Sequence, residues 1–215
     1  MIVIGAVVLA AGSSRRYGAR PKLLARLAGR TVIEHSLDAL HGLPLRPVVV
    51  VTGRARRRIE SVIRNARGGQ PGLRLVHNPA YRQGMASSLR CGLAALPRQC
   101  HGALICLGDM PDIEPRLVAR LCATWHAGLD YVRPVGQGLP GHPVIVSRRL
   151  FPAIAALEGD RGAKTVLDAV PRARYRLIAA RKAHARDIDT PAALRRAAMA
   201  HRRRQTRGSI AKSSR

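Results

Sequence analysis

The stretch Ile2-Val3-Ile4-Gly5-Ala6-Val7-Val8-Leu9 runs on through Ala10-Ala11-Gly12-Ser13-Ser14-Arg15-Arg16-Tyr17-Gly18 to Pro21-Lys22-Leu23-Leu24, and its reading decides the fold class. A continuous apolar, largely β-branched run is the pattern of a strand buried on both faces, which arises where helices cover both sides of a parallel sheet. Outward from it, the chain alternates. A helical stretch is expected at about 31–40, a strand at 47–52, a helix at 55–67 and a strand at 73–77; then come a helix at 85–96, a strand at 103–107 and a helix at 114–127. Beyond 127 the rhythm loosens into strands at 131–134, 144–147 and 175–179 and short helices at 149–157 and 163–170. Thr190 and Pro191 make a cap and first-turn pair for a terminal helix to about 200. The pattern predicts an α/β fold: a single Rossmann-like domain over 1–200, with a mostly parallel sheet and helices on both faces.

The chain has 215 residues, and its 38 Lys plus Arg against 12 Asp plus Glu give a net charge of +26. That length supports one well-cored domain, and 47% hydrophobic residues argue against disorder throughout. Lysine occurs at Lys22, Lys164, Lys182 and Lys212, so the basic residues are overwhelmingly arginine, as a GC-rich coding sequence also produces. The last acid is Asp189, and residues 201–215 form a basic, Ser-rich tail expected to be disordered. The excess charge favours anionic ligands. Nucleic acid is not the expected partner, because aromatic residues are 3% of the chain and supply few stacking platforms. No apolar run is long enough for a membrane span, and none has the basic leader of a secretion signal. Cys91, Cys100, Cys106 and Cys122 form no C-x-x-C pair and are expected as buried thiols in a reducing cytoplasm.

The loop after the first strand matches neither G-x-x-x-x-G-K-[ST] nor G-x-G-x-x-G, which disfavours a P-loop ATPase and an ordinary dinucleotide dehydrogenase. Gly12 and Gly18 let the backbone approach a phosphate chain, while Arg15 and Lys22 supply positive charge to its oxygens. Asp109 follows the apolar strand Leu104 to Leu107, at the strand end where open α/β sheets place ligands, and a carboxylate there can hold Mg²⁺ against triphosphate oxygens. Gly84 to Gly92 opens a helix whose first turn carries Ser87 and Ser88, where free N–H groups and hydroxyls suit an anion or a base edge. Ser87 as a plain helix cap and Asn78 as a turn residue before Pro79 are the competing readings.

Leu9 to Gly18 with Pro21-Lys22 resembles the signature loop of nucleotidyltransferases that activate sugars, alditols and cofactors, and in particular of the molybdenum cofactor cytidylyltransferases. Asn78-Pro79 leading to Gly84-Met85-Ala86-Ser87-Ser88, Leu107-Gly108-Asp109-Met110-Pro111 and Asp187-Ile188-Asp189-Thr190-Pro191 agree. Gly138-Leu139-Pro140-Gly141-His142-Pro143-Val144 and Gly159-Asp160-Arg161-Gly162-Ala163 add the pattern of the molybdopterin-handling branch. The chain departs from that pattern at Tyr17, where Met usually precedes Gly18, and at Pro140 beside Gly141.

The resemblance implies a nucleotide-diphospho-sugar transferase-like fold and transfer of CMP from CTP to molybdenum-bearing molybdopterin, with pyrophosphate released. Arg15, Lys22 and Asp109 become the catalytic set; Leu9, Ala10, Ala11, Gly12, Lys22, Asn78, Ser87 and Ser88 become nucleotide contacts. Asp109 and Asp189 become the Mg²⁺ ligands, Asp189 alternatively being a helix-start carboxylate beside Thr190-Pro191. Gly141, His142 and Asp160 fall near the acceptor, although a lone loop histidine is ordinarily solvated and Asp160 can equally cap a short helix. Leu-Ala-Ala-Gly at 9–12 favours cytidine over guanosine, whose relatives more often carry Leu-Ala-Gly-Gly. A molybdenum hydroxylase would receive the product. The alternatives are a guanylyl or other triphosphate, a different phosphate or sugar acceptor, a polyanion-binding protein, and a cofactor carrier.

Overall fold

The computed structural model describes residues 2–12, 21–67, 71–180 and 192–199, together with Tyr17, Ile188 and Thr190. The first apolar run forms β1 (Ile4–Ala10), buried along its length and paired in parallel with β4 (Leu45–Thr52) on one side and β6 (Gly102–Leu107) on the other. Side chains alternate across a strand, so a continuous apolar run feeds two cores at once. Ala6 and Val8 pack on one face, under α1 (Val32–Asp38), α2 (Arg56–Arg67) and α4 (Pro115–Thr124), with Ile33, Ile59 and Leu121. Val7 packs on the other, under α3 (Met85–Ala94), α5 (Phe151–Ala155) and α6 (Lys164–Asp168), with Leu89, Ile154 and Leu167. Each such fully buried side chain contributes about 2 kcal/mol.

The remaining strands are β2 (Arg26–Leu27), β3 (Arg30–Thr31), β5 (Leu73–His77), β7 (Tyr131–Gly136), β8 (Leu139–Pro140), β9 (Val144–Ser147) and β10 (Tyr175–Ala179). The main sheet runs β10-β7-β9-β6-β1-β4-β5, with β8 paired to β7. The expected α/β architecture, mostly parallel with helices on both faces, is therefore what the chain adopts. Individual ends shift by a few residues: Thr31 and Glu34 close a capping box that starts α1 at Val32, and Glu114 with Pro115 starts α4. The short hairpin of β2 and β3 was not expected from the sequence pattern.

Two strands, β8 and β9, run against the rest of the main sheet. β9 is antiparallel to both β6 and β7. Gln137 and Gly138 have φ of 51° and 76°, the pair of positive values that a tight two-residue hairpin turn requires, and they fold β8 back on β7. The few residues between β7 and β9 leave no room for a crossover helix, so the return is antiparallel.

The sheet and α3 meet closely because α3 carries Gly92: a Cβ there would lie 2.4 Å from Val7 Cγ1. Of two cis peptides, Arg46-Pro47 lies in the first residues of β4 and His142-Pro143 directly precedes β9. The basic tail at 201–215 and the ends of the expected terminal helix lie outside the described residues; 192–199 is helical. No described helix is long and apolar enough to cross a membrane. The cysteines are free, with Cys100 and Cys106 buried.

Candidate active site

At the C-terminal end of β1 the small side chains of Ala10 and Ala11 are buried, and the chain emerges at exposed Gly12. Among the described residues nothing lies within 4 Å of a Cβ built on Gly12, so their packing does not require glycine there. Leu9 closes the pairing with β6: the Gly108 N–H donates to its carbonyl at 2.9 Å, and Ser36 Oγ donates to the Gly108 carbonyl at 2.8 Å. These bonds fix the strand end that carries Asp109.

Pro21 leads into a tight turn over Lys22–Leu24 in which buried Leu23 anchors the backbone, and Lys22 is directed across the site. Its Nζ forms an ion pair with Asp109 Oδ2, the two side chains being 14% exposed each. The pair joins two residues singled out from widely separated motifs. Ile188 donates its N–H to the Asp109 carbonyl at 3.2 Å, which holds Ile188 at the same strand end. Arg15 and Asp189 themselves lie outside the described residues.

Asn78, Ser87 and Ser88 come together as the motif spacing suggests, but as a buried clasp. Asn78 Nδ2 donates to Ser87 Oγ at 2.9 Å and to Ser88 Oγ at 3.1 Å, while its Oδ1 accepts from the Ala80 N–H at 3.0 Å. Ser87 Oγ donates in turn to the Ala80 and Gly84 carbonyls. The expectation of free donors at the start of α3 needs correction. Asp160 Oδ1 accepts from the Met85 N–H at 3.3 Å and the Gly159 carbonyl from the Ala86 N–H at 3.1 Å. The first two orphan donors of the helix are thus taken by its own chain. Asp160 therefore caps α3, not the short helix after it. The joint requires Gly84, whose φ is +102° and whose Cβ would fall 2.3 Å from Gly159 C. An open cleft of about 280 Å³ beside this joint is lined by Gln83, Ser87, Arg90, Glu158 and Gly159, without Lys22 or Asp109.

His142 departs from the ordinary picture of a solvated loop histidine. Burial, reinforced by the charge of Arg133, pushes its pKa down to about 4, so the ring is neutral at pH 7. Its Nδ1 is buried without a hydrogen-bond partner. Gly141 is buried beside it and its carbonyl accepts from Arg133 Nη2 at 3.3 Å. Arg133 carried no motif signal. A basic residue inside an otherwise apolar strand, Tyr131-Val132-Arg133-Pro134-Val135, was the clue available in the sequence.

The family model described as "MobA-like NTP transferase domain" matches residues 6–185. The chain belongs to the MobA-like NTP transferase family. Among relatives of this MobA-like chain, nicotine blue oxidoreductase of Paenarthrobacter nicotinovorans is 31% identical over 77% of this chain and 81% of its own length. Molybdenum cofactor cytidylyltransferase of Escherichia coli is 27% identical over 69% of this chain and 72% of its own. The chain spans about a quarter of the bifunctional GlmU proteins that it also matches, such as that of Mycolicibacterium gilvum, 36% identical over 56% of this chain. Among solved structures, Rv0371c of Mycobacterium tuberculosis superposes with a TM-score of 0.76 at 26% identity, covering 93% of this chain and 99% of that one. A manganese complex of Rv0371c superposes with a TM-score of 0.66 at 25% identity, covering 83% and 88% of the two chains.

Proposed function

We propose that this MobA-like transferase moves CMP from CTP to the terminal phosphate of molybdopterin carrying molybdenum. The observation that carries the reading is the meeting of Lys22 and Asp109 just past the C-terminal end of β6, with exposed Gly12 just past the same end of the neighbouring β1, the end at which open α/β sheets bind ligands. A cation and a carboxylate are the two charges a triphosphate site needs, one for phosphate oxygens and one for a divalent ion. The 27% identity to the cytidylyltransferase of Escherichia coli and the Leu-Ala-Ala-Gly loop support cytidine and molybdopterin.

In the reaction, an oxygen of the acceptor phosphate attacks the α-phosphorus of CTP, the bond from that phosphorus to the β-phosphate bridging oxygen breaks, and pyrophosphate leaves with the electron pair. The attacking oxygen is already anionic at neutral pH, so alignment and charge neutralisation do the work and no strong base is required. The backbone around Ala11 and Gly12 approaches the phosphates, Lys22 neutralises their growing charge, and the clasp of Asn78, Ser87 and Ser88 holds the neighbouring wall. The hard oxygen donor of Asp109 fits Mg²⁺ or Mn²⁺, with Asp189 as the second ligand, and such an ion would screen the triphosphate. A molybdenum hydroxylase as receiver of the product, and the cytoplasm as the place of work, rest on the resemblance alone.

A second reading is favoured by one observation, the 31% identity to nicotine blue oxidoreductase over most of both chains: an oxidoreductase activity. Incubating the protein with Mg²⁺, molybdenum-loaded molybdopterin and each of CTP, GTP, ATP and UTP, and measuring pyrophosphate, tests the first. Release with CTP alone is expected. Release with GTP reassigns the base, and no release with any triphosphate overturns transfer to molybdopterin.

A further inference from the structure

Three charged residues are fully buried among the described residues: Glu60, Asp130 and Arg133. Two are matched. Glu60 accepts from Arg56 and Arg64 at 2.9 and 3.0 Å, and Asp130 is paired with Arg149 and Arg174 at 3.1 and 2.7 Å. Arg133, 6% exposed, has no carboxylate in contact among the described residues; Nη2 reaches the Gly141 carbonyl, and Nε is buried with no acceptor among the described residues. Asp168 of α6 acts on it only through space and is itself paired with Lys164 at 2.5 Å. A guanidinium stays charged in proteins, and an uncompensated buried charge costs several kcal/mol, so the fold holds a cation whose counter-ion it does not supply.

The position of that cation is informative. Val132 pairs with Ile145 and Val144 with Ile105, so Arg133 stands in the next row of β7, level with Ile105 on the β6 strand that leads to Asp109. His142 lies between them: it feels the charges of both Arg133 and Asp109, touches the main chain of Ile105, and leaves Nδ1 buried and unpartnered. Two orphaned nitrogens, Arg133 Nε and His142 Nδ1, thus belong to side chains that act on one another through space, and His142 also feels Asp109, in the half of the sheet that lies beyond β6 from β1.

We propose that Arg133, with His142 beside it, forms the floor of a subsite that binds an oxygen-acid anion, a phosphate or carboxylate group of the second substrate. The Nε edge of a guanidinium matches the paired oxygens of either anion, and the bound anion would supply the missing counter-charge. That the anion belongs to the acceptor rests on the nucleotidyl-transfer reading; the anion subsite itself does not.

The test uses the full chain and thermal melting in sodium phosphate, sodium acetate or sodium chloride at matched ionic strength, with wild type, Arg133→Met, Arg133→Lys and Lys22→Ala. Phosphate or acetate should raise the wild-type Tm beyond chloride, and whichever anion does so names the group. Arg133→Met should lose that response while melting, without anion, at or above the wild-type temperature, because it removes an uncompensated buried charge. A purely structural Arg133 would do the reverse, lowering Tm and keeping the response. Should Arg133→Met fail to fold, Arg133→Lys decides: it retains the charge but lacks the Nε–H, and its affinity for the anion should fall about tenfold, as loss of a charge-assisted bond implies. Lys22→Ala should keep the Arg133-dependent part of the shift. Equal shifts in wild type and both Arg133 variants, or no shift in wild type, overturn the proposal. A missing pyrophosphate signal with an intact Arg133-dependent shift would overturn only the transferase reading.

Discussion

Breaking the Lys22–Asp109 ion pair by Lys22→Met, by Asp109→Asn and by both together separates what the pair does for stability from what it does for chemistry. An exposed pair is worth 0–1 kcal/mol and removing one partner of a fully buried pair costs about 3–5 kcal/mol. With each side chain 14% exposed, the pair lies nearer the buried limit but keeps some solvent screening, and about 2 kcal/mol is expected for either single change. For a domain of this size that is a fall in Tm of about 4–8 °C. The double variant leaves no unmatched charge and should recover part of the loss, giving a coupling of at least about 1 kcal/mol in a double-mutant cycle from urea unfolding. Turnover should behave differently. Each single variant should lose a factor of about 100 or more in pyrophosphate release, and the double variant should recover none of it, since charge on both groups is needed when the triphosphate is bound. Singles that melt with wild type, and a coupling within about 0.5 kcal/mol of zero, would show that the pair is not formed in solution. A near-normal Mg²⁺-dependent rate in Asp109→Asn would remove Asp109 from the metal site.

Two further outcomes follow from neighbouring features. Gly84→Ala combines a φ of +102° with a Cβ 2.3 Å from Gly159 C and should destabilise by about 2 kcal/mol or more, whereas Gly12→Ala, whose Cβ meets no described residue within 4 Å, should unfold like wild type yet weaken nucleotide binding; matched urea midpoints for the two would refute the distinction. Burial pushes the Glu60 pKa up, but hydrogen bonds from Thr52, Arg56 and Arg64 and the charge of Arg56 outweigh it and hold it below the usual value of 4.5. The folded state thus favours the carboxylate, whose stabilisation is complete above pH 4.5 and is lost as pH falls from there through the folded pKa, so Glu60→Gln should be less stable at pH 7 and show a flatter acid limb in unfolding free energy against pH.

The sequence by itself determined the alternation of strands and helices, because the period of apolar residues states locally which face of a segment is buried. It marked Gly12 as a place of close approach and Asp109 as a carboxylate at a strand end, since strand polarity in a parallel sheet already says which end carries ligands. It did not contain the direction of β9, which followed from a two-residue turn at Gln137-Gly138 too short to cross over. Nor did it contain the capping of α3 by Gly159 and Asp160, which turns a start that reads as an anion site into an internal joint. The pairing of Lys22 with Asp109 and the burial of Arg133 without an acid were likewise decided only in three dimensions. Periodicity reports the environment of a residue along its own segment, whereas the identity of a polar partner depends on which distant segment the packed sheet brings within hydrogen-bonding range.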